Sequence, residues 1–135
     1  MNVARTNSVT PSLRELWRNA VKRLRAHRGG AALYVTIGGE TAPDELLDQL
    51  VASGAVWTIG DEELAGFAVV RGDVVEAIFV SSDFRRRRVA TSLLEALAVS
   101  DTPPRDGFAL PGDRGTKSLY ESYGWKARLL TMRGE

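Results

Sequence analysis

Apolar residues recur every three or four positions near the start of the chain, from Leu13 to Leu24. This is the period of one face of an α-helix, so it predicts a helix over residues 13–27 with Ser12 as its N-cap. The glycine pair that follows would end the helix, whereas residues 1–11 lack a regular pattern and are expected to be flexible. Four cations lie beside the apolar face and form a cationic stripe: Arg14, Arg18, Lys22 and Arg25.

Short runs rich in β-branched residues follow, separated by turn residues. They predict strands over residues 33–37, 56–59, 64–71 and 74–80, with tight turns at positions 60–63 and 72–73. The last three of these strands would form an antiparallel meander. A helix that begins at Thr41 or Pro43 and reaches about Ser53 separates the first strand from the meander.

The second half of the chain alternates helices with single strands. The pattern predicts a helix from Arg86 or Arg87 to about Val99, a strand over residues 107–110, a helix over residues 115–123 and a final strand over residues 128–132. This order of elements is typical of an α/β fold in which about four helices flank a mixed, mostly antiparallel sheet. The length of residues 12–135 fits a single domain.

Composition excludes several kinds of site. The chain has 135 residues, no cysteine and one histidine, His27. Disulfides, thiolate nucleophiles, cysteine-based metal sites and histidine-rich metal sites are therefore excluded, and we expect no metal. A Ser-His-Asp triad would have to use His27, which lies in an arginine-rich segment. No apolar stretch has the length of a signal peptide or a membrane span, so we expect a cytoplasmic protein with no membrane partner.

Charge is distributed unevenly, although the formal net charge is only +1. Residues 1–30 carry a net charge of +6, residues 31–84 carry −9 and residues 85–135 carry +4. Proteins that bind nucleic acid by bulk charge are usually basic throughout, so the pattern argues against that partner and indicates a divided surface. The cationic stripe could contact nucleic acid, a membrane or the acidic part of the chain, or it could be solvated.

The strongest chemical signal lies between Ile78 and Leu94. A predicted strand ends there, a short loop follows, and a helix begins within the arginine run at positions 85–88. The first N–H groups of a helix lack partners inside the helix and attract anions together with the positive end of the helix dipole. The arginines add to this attraction, so the junction is predicted to bind a phosphate-bearing ligand; a basic run on a solvated surface is the alternative.

This junction resembles the coenzyme-binding loop of the GNAT superfamily of N-acetyltransferases. The family signature, Q/R-x-x-G-x-G/A after an aliphatic strand, is matched by Arg85-x-x-Arg88-x-Ala90, with Arg88 in place of the first glycine. The resemblance implies that acetyl-CoA is the co-substrate, that its pantetheine arm pairs with the strand and that loop amides hold its pyrophosphate. An arginine at position 88 can adopt helical dihedrals and reach the 3′-phosphate. The residues implied in coenzyme binding are Ile78, Phe79, Val80, Arg85, Arg86, Arg87, Arg88, Val89, Ala90, Thr91 and Asp113.

A second segment supports the same resemblance. Residues 119–125, with the sequence LYESYGW, are similar to the family segment lYeklGF. Asp113 and Thr116 stand at the upstream Asn and Ala positions of the family, and residues 131–133 are similar to its common final strand. The resemblance covers about residues 56–135, and it implies an α/β fold of the GNAT type.

The resemblance also implies a reaction. An acetyl group would move from acetyl-CoA to a primary amine by direct attack on the thioester, which requires a base, donors for the oxyanion and an acid for the departing thiolate. Tyr120 stands at the position of the family's general acid, and packing in the core beside Tyr123 is the alternative. The oxyanion would accept a hydrogen bond from a backbone N–H near Phe79 or Val80.

Glu76 is the candidate base. Alternation along the strand predicts that it shares a face with Ile78 and Val80, and in the family a glutamate on this strand relays the proton through water. A solvated cross-strand carboxylate is the alternative. Phe108 stands at the position of the family's other glutamate, which leaves Glu76 or a chain of water molecules as the base.

Acidic residues indicate the acceptor. They stand where the family builds its acceptor wall, and they favour a cationic acceptor such as a lysine, a polyamine, an amino sugar or a peptide N-terminus. The residues are Asp44, Glu45, Asp48, Asp61, Glu62 and Glu63. Two alternatives to an enzyme stay open: a degenerate GNAT-fold sensor or interaction module that binds acyl-CoA or has lost it, and a nucleic-acid-binding protein that uses the first helix. The oligomeric state is also open, with a homodimer as one arrangement.

Overall fold

The computed structural model describes residues 1–85, 88–132 and 134, and in this part a five-stranded sheet is flanked by five helices. The strands are β1 Val3–Arg5, β2 Val56–Gly60, β3 Leu64–Arg71, β4 Val74–Val80 and β5 Asp106–Gly107. The helices are α1 Pro11–Ala26, α2 Gly30–Gly38, α3 Pro43–Ala52, α4 Val89–Ala98 and α5 Arg114–Ser122. A short 3₁₀ turn, Ser82–Phe84, follows β4.

The strands lie in the order in which they occur in the chain, β1 to β5. Each pair from β1 to β4 is antiparallel, and β5 joins β4 in parallel. The predicted α/β fold with a mixed, mostly antiparallel sheet is therefore confirmed. The bounds predicted for β3 and β4 are also confirmed, because a nearly continuous apolar run, as expected of strands covered on both faces, lies on each side of the Gly72-Asp73 turn, with Gly72 at φ 60°.

The core lies on both faces of the sheet. On one face, helices α1, α2 and α3 pack against β2 and β3 through residues that include Leu13, Trp17, Tyr34, Leu47, Phe67 and Val69. On the other face, α4 packs against the sheet through residues that include Ile59, Ala68, Val75, Val89, Leu93 and Leu97. Within the described residues, no helix combines the length and apolar character needed to cross a bilayer.

Three predictions in the first part of the chain are wrong. Residues 33–37 belong to helix α2, because Tyr34 and Ile37 lie one turn apart and are buried together against α1. The N-cap of α1 is Thr10, whose hydroxyl accepts the backbone N–H of Leu13 at 3.2 Å, while Ser12 instead accepts the N–H of Leu64 at 3.0 Å. Residues 3–5 are not flexible, since β1 pairs with β2.

The second half differs from prediction at its strands and at the start of α4. Strand β5 covers only Asp106–Gly107 rather than residues 107–110, and residues 128–132 form no strand among those described. A strand needs a neighbour for its backbone groups, and this segment lies exposed in solvent, with Leu129 at 89% exposure. Helix α4 begins at Val89, and the predicted starts Arg86 and Arg87 lie outside the described residues.

Candidate active site

A cleft opens where β4 and β5 separate. The two strands pair only at Val74 with Asp106 and at Val75 with Gly107, and the last hydrogen bond between them runs from the N–H of Phe108 to the carbonyl of Val75 at 2.9 Å. Beyond this point a cavity of about 330 Å³ lies along β4. Such a split exposes one edge of β4 to a ligand that lies along it.

The walls of this cavity are mostly apolar and come from both ends of the chain. Strands β3 and β4 contribute Phe67, Ala77, Ile78, Phe79 and Val80, and helix α1 contributes Trp17, Ala20, Val21 and Leu24. Helices α4 and α5 add Ala90, Gly115, Thr116 and Leu119. The titratable groups in the lining are Arg23, His27, Tyr34, Arg85 and Asp113. An apolar cleft with a few polar groups is the usual form of a small-molecule site.

Of the nine described residues that the resemblance assigns to the coenzyme, six line this cavity: Ile78, Phe79, Val80, Arg85, Ala90 and Asp113. Two others, Val89 and Thr91, do not line the cavity. Val89 is buried in the core beneath α4, and the carbonyl of Thr91 accepts the hydroxyl of Tyr123 at 3.4 Å. Arg86 and Arg87 lie outside the described residues, and the coenzyme-binding role of the whole set stays a prediction.

Arg88, the ninth, is the N-cap of α4 and has left-handed backbone dihedrals, φ 59° and ψ 29°. Among the described residues it is the one non-glycine residue with a positive φ. The expectation that it adopts helical dihedrals is wrong. Glycine takes this conformation freely, and a residue with a side chain takes it at a cost of about 1–2 kcal/mol. The backbone at Arg88 therefore has the conformation that a glycine favours. The guanidinium of Arg88 lies 3.9 Å from the carboxylate of Glu95 on α4, and Arg88 does not line the cavity.

Tyr120 lies at the closed end of the cleft. Its ring is 6% exposed and stacks on Trp125, with centroids 5.1 Å apart, and its hydroxyl donates to the carbonyl of Phe108 at 3.3 Å. Gly107 lies directly against the ring, because a Cβ there would come within 2.5 Å of Tyr120 Cζ. Burial, with a smaller contribution from Asp113, raises the pKa of Tyr120 above its ordinary value, so the phenol stays protonated at neutral pH.

Glu76 is buried and ion-paired. Val69 pairs with Ala77 and Val70 with Val75, so Glu76 is the extra residue of a β-bulge. Its carboxylate accepts two hydrogen bonds from Arg71, from Nε and, at 2.9 Å, from Nη2.

The bulge changes the surroundings that alternation predicts for Glu76. Ile78 and Val80 pack in the core beneath α4, whereas Arg71, the partner of Glu76, reaches the carbonyl of Thr36 in α2. Glu76 is not a solvated carboxylate and does not line the cavity. It does follow Val75, the last β4 residue paired with β5, and therefore lies at the same end of the cleft as Tyr120.

The acidic face of α3 pairs with the cationic stripe of α1. Arg18 donates to both carboxylate oxygens of Asp44, at 3.1 and 2.6 Å, and Arg14 donates to Asp48 at 2.9 Å. The hydrogen bond from Arg18 holds the pKa of Asp44 below its ordinary value. The sequence left several partners open for the cationic stripe. Two of its residues, Arg14 and Arg18, contact the acidic part of the chain. Asp44 and Asp48 lie outside the cavity lining.

The sequence reasoning missed the contribution of α1 and α2 to the cavity. Arg23, His27 and Tyr34 line it, although the coenzyme motif begins about fifty residues later in the chain. The apolar period of α1 predicted that one face would be buried, but a periodic pattern does not identify the element against which the face packs. No signal in the sequence would have joined the end of α1 to the segment before α5.

Solved structures of known proteins share this fold. The chain matches the aminoglycoside N-acetyltransferase AAC(6′)-Iy in complex with a CoA-containing bisubstrate analogue, with a TM-score of 0.57 and 18% identity over 99% of this chain and 97% of that one. It matches the ribosomal-protein-alanine N-acetyltransferase of Brucella melitensis biovar Abortus 2308 with a TM-score of 0.51 and 16% identity over 84% and 94%. An integron cassette protein from the mobile metagenome of V. cholerae matches with a TM-score of 0.52 and 14% identity over 99% and 91%.

Comparisons at the level of sequence give no match, either to a protein-family model or to a curated protein. The structural matches nevertheless cover 84% to 99% of the chain, with TM-scores above 0.5. The chain therefore has the fold of the GNAT acetyltransferases, as the motif resemblance predicted.

Proposed function

We propose that the chain is an acetyl-CoA-dependent N-acyltransferase that transfers the acetyl group to a primary amine by direct attack. The observation that carries this proposal is the cleft between β4 and β5, with Arg85 and the start of α4 at its mouth and apolar walls along its length. A phosphate-bearing head fits the cationic mouth, and an extended arm fits the free edge of β4. AAC(6′)-Iy, which has the same fold, was solved with CoA and with a CoA-containing analogue.

Residues of this chain supply the steps of the transfer. Ser81 donates its N–H to the carbonyl of Ala65 in β3, and successive N–H groups along a strand point to opposite edges. The N–H of Val80 therefore faces the unpaired edge of β4 and can donate to the oxyanion. Tyr120, protonated and at the closed end of the cleft, donates a proton to the departing thiolate. Both carboxylate oxygens of Glu76 accept hydrogen bonds from Arg71. A role for Glu76 as base therefore requires that this ion pair opens or that water relays the proton.

The acceptor is proposed as a primary amine on a small molecule or a peptide. Two of the matched proteins with this fold are named for amine acetylation, of an aminoglycoside and of a ribosomal-protein alanine. The hypothesis of a cationic acceptor rested partly on Asp44 and Asp48, which are paired with Arg18 and Arg14 and give it no support. A panel of cationic, neutral and anionic amines tests that hypothesis directly, because turnover without preference for cations would exclude it.

Binding of acetyl-CoA to the purified protein is the first test. We expect millimolar acetyl-CoA to raise the melting temperature, since a ligand that binds only the folded state stabilises it. Arg85→Gln should weaken binding by about tenfold or more, because a charge-assisted hydrogen bond contributes about 1.5–3 kcal/mol. Arg128→Gln, which removes an exposed arginine away from the cavity lining, is the matched control. A wild-type melting temperature that stays constant with the ligand would reject coenzyme binding.

One observation favours the sensor alternative. Both candidate catalytic side chains already have partners, Tyr120 the carbonyl of Phe108 and Glu76 the guanidinium of Arg71. A protein that binds acetyl-CoA without transferring its acetyl group would show the same arrangement. Release of free CoA distinguishes the two, and a thiol reagent measures it without background because the chain has no cysteine.

A further inference from the structure

Among the described residues, five titratable side chains line the cleft cavity, and they differ in their ability to accept a proton. They are Arg23, His27, Tyr34, Arg85 and Asp113. The guanidinium groups of the two arginines carry hydrogen-bond donors and no acceptor for a proton. The hydroxyl of Tyr34 donates to the carbonyl of Thr41 at 2.5 Å, and burial raises the pKa of Tyr34 above its ordinary value. Neither kind of group can take a proton from an ammonium near neutral pH.

Asp113 is the N-cap of α5, and its carboxylate is occupied by hydrogen bonds to Thr116. One of its carboxylate oxygens accepts the backbone N–H of Thr116 at 3.1 Å, and the other accepts the Thr116 hydroxyl at 2.6 Å. These bonds cap α5, so the carboxylate works as a structural acceptor. Among the described residues that line the cavity, this leaves the imidazole of His27 as the basic nitrogen that has a lone pair and no structural hydrogen bond.

The structure holds His27 firmly at its backbone and leaves its ring available. It is the C-cap of α1, its N–H donates to the carbonyl of Leu24 and its own carbonyl accepts the N–H of Gly30, both at 3.0 Å. The half-buried side chain faces the segment before α5, since a Cβ on Gly112 would lie 4.0 Å from Nδ1. In the described part of the chain the imidazole makes no hydrogen bond or ion pair.

We propose that His27 is the proton acceptor for the amine, an inference that rests on the proposed transferase function. The imidazole takes one proton from the acceptor ammonium, and the freed nitrogen lone pair attacks the thioester carbonyl carbon. The C–N bond forms, the C–S bond breaks, and a second proton from the nitrogen reaches the departing thiolate through Tyr120. The products are the amide and CoA as its thiol, and the proton on His27 passes to solvent. Glu76, paired with Arg71, is not required as a base.

Charged groups on several elements line the same cavity as His27 and can affect the pH dependence of a reaction there. Arg23 belongs to the same helix, Arg85 lies in the segment after β4, and Asp113 lies before α5. Tyr34 of α2 adds a phenol. The variants below leave all four in place, so a change in the pH profile reports the imidazole.

Spectroscopy tests the position of the ring without any turnover. Because His27 is the one histidine of the chain, protein labelled at histidine gives a single set of imidazole resonances. We expect acetyl-CoA to shift them strongly and adenosine 3′,5′-bisphosphate, which lacks the pantetheine arm and the thioester, to shift them little. Equal shifts with both ligands would make His27 a phosphate contact and would overturn the proposal, as would no shift with a saturating concentration of acetyl-CoA.

Kinetics then test the role. We expect His27→Ala to lower kcat/KM by about 10²-fold, the usual minimum for loss of a general base, with an unchanged Kd for acetyl-CoA. The wild-type rate should fall at acidic pH with a slope of one, the variant should lack this limb, and added imidazole should restore part of its rate. His27→Gln repeats the test with a larger side chain, and Arg28→Ala, at the next and exposed position, is the control that should keep the wild-type profile.

The outcomes separate this proposal from the transferase function. A wild-type protein that releases no CoA with any amine rejects the function and the proposal together. An active wild type whose acidic limb persists in both His27 variants, or whose loss of rate is the same at every pH and is not rescued by imidazole, rejects only the role of His27.

Discussion

Leu93→Ala should lower the free energy of unfolding by about 2–5 kcal/mol, which is a large part of the stability of a domain of this size. Leu93 is 0% exposed and lies in α4, in the core cluster that joins this helix to the sheet. The change removes three carbons from contact with Val75, Val89 and their neighbours and leaves a cavity that a close-packed interior fills only in part. Urea unfolding followed by far-UV circular dichroism measures the loss.

The same substitution at an exposed position is the matched control. Leu129 is 89% exposed, so Leu129→Ala should change the free energy of unfolding by no more than about 0.5 kcal/mol. Equal losses from the two variants would mean that the C-terminal segment is packed in solution and that the exposure described above is wrong. A loss below about 1 kcal/mol for Leu93→Ala would argue against the packing of α4 on the sheet.

Tyr120→Phe should lower kcat by about 10²-fold or more while the Kd for acetyl-CoA stays within about twofold. The phenol lies at the closed end of the cleft and does not line the cavity, so its loss leaves the coenzyme walls in place. Burial raises the pKa of Tyr120, so the phenol is protonated through neutral pH and has a proton to give to the thiolate. The change also removes the hydrogen bond to the carbonyl of Phe108, with a loss of stability of about 1 kcal/mol.

Tyr123→Phe provides a control on the same stretch of chain. Tyr123 is the C-cap of α5, and its hydroxyl donates to the carbonyl of Thr91 at 3.4 Å, outside the cavity lining. Steady-state rates with saturating acetyl-CoA and titration of the ligand should show full turnover in this variant. Equal rates for Tyr120→Phe and the wild type would assign Tyr120 to the core, where its ring stacks on Trp125.

Local patterns in the sequence determined the parts of the fold that could be predicted. The hairpin of β3 and β4 follows from the apolar, β-rich runs on each side of Gly72, and helix α1 follows from the three-to-four-residue period of its apolar face. The segment at residues 33–37 failed because a short β-branched run fits a buried helix turn as well as a strand, and contact with α1 decides between them. Strand β1 could not be predicted because its three residues become regular only by pairing with β2.

The candidate site also contains residues that a local sequence pattern predicts and residues that only contacts between distant parts of the chain bring together. The motif singled out Arg85 and Ala90, and both line the cavity because they follow β4 directly in the chain, while their role in coenzyme binding stays a prediction. The predicted surroundings of Glu76 failed because a β-bulge breaks the alternation on which that prediction rested. His27 lines the site because the end of α1 lies beside the segment before α5, and such a contact between distant parts of the chain leaves no local pattern.

The shortness of β5 also divides the molecule into units of unequal stability. Among the described residues, the C-terminal segment joins the sheet through the two-residue pairing of β5 with β4 and through flanking hydrogen bonds from the N–H groups of Arg105, Asp106 and Phe108, whereas β4 pairs with β3 from Val74 to Val80. Segments held by few contacts open most often, so amide hydrogens of α5 should exchange with solvent faster than those of the meander. The cleft is lined by residues of both β4 and α5, so a bound ligand contacts both. We therefore expect ligand binding to slow amide hydrogen exchange most in α5.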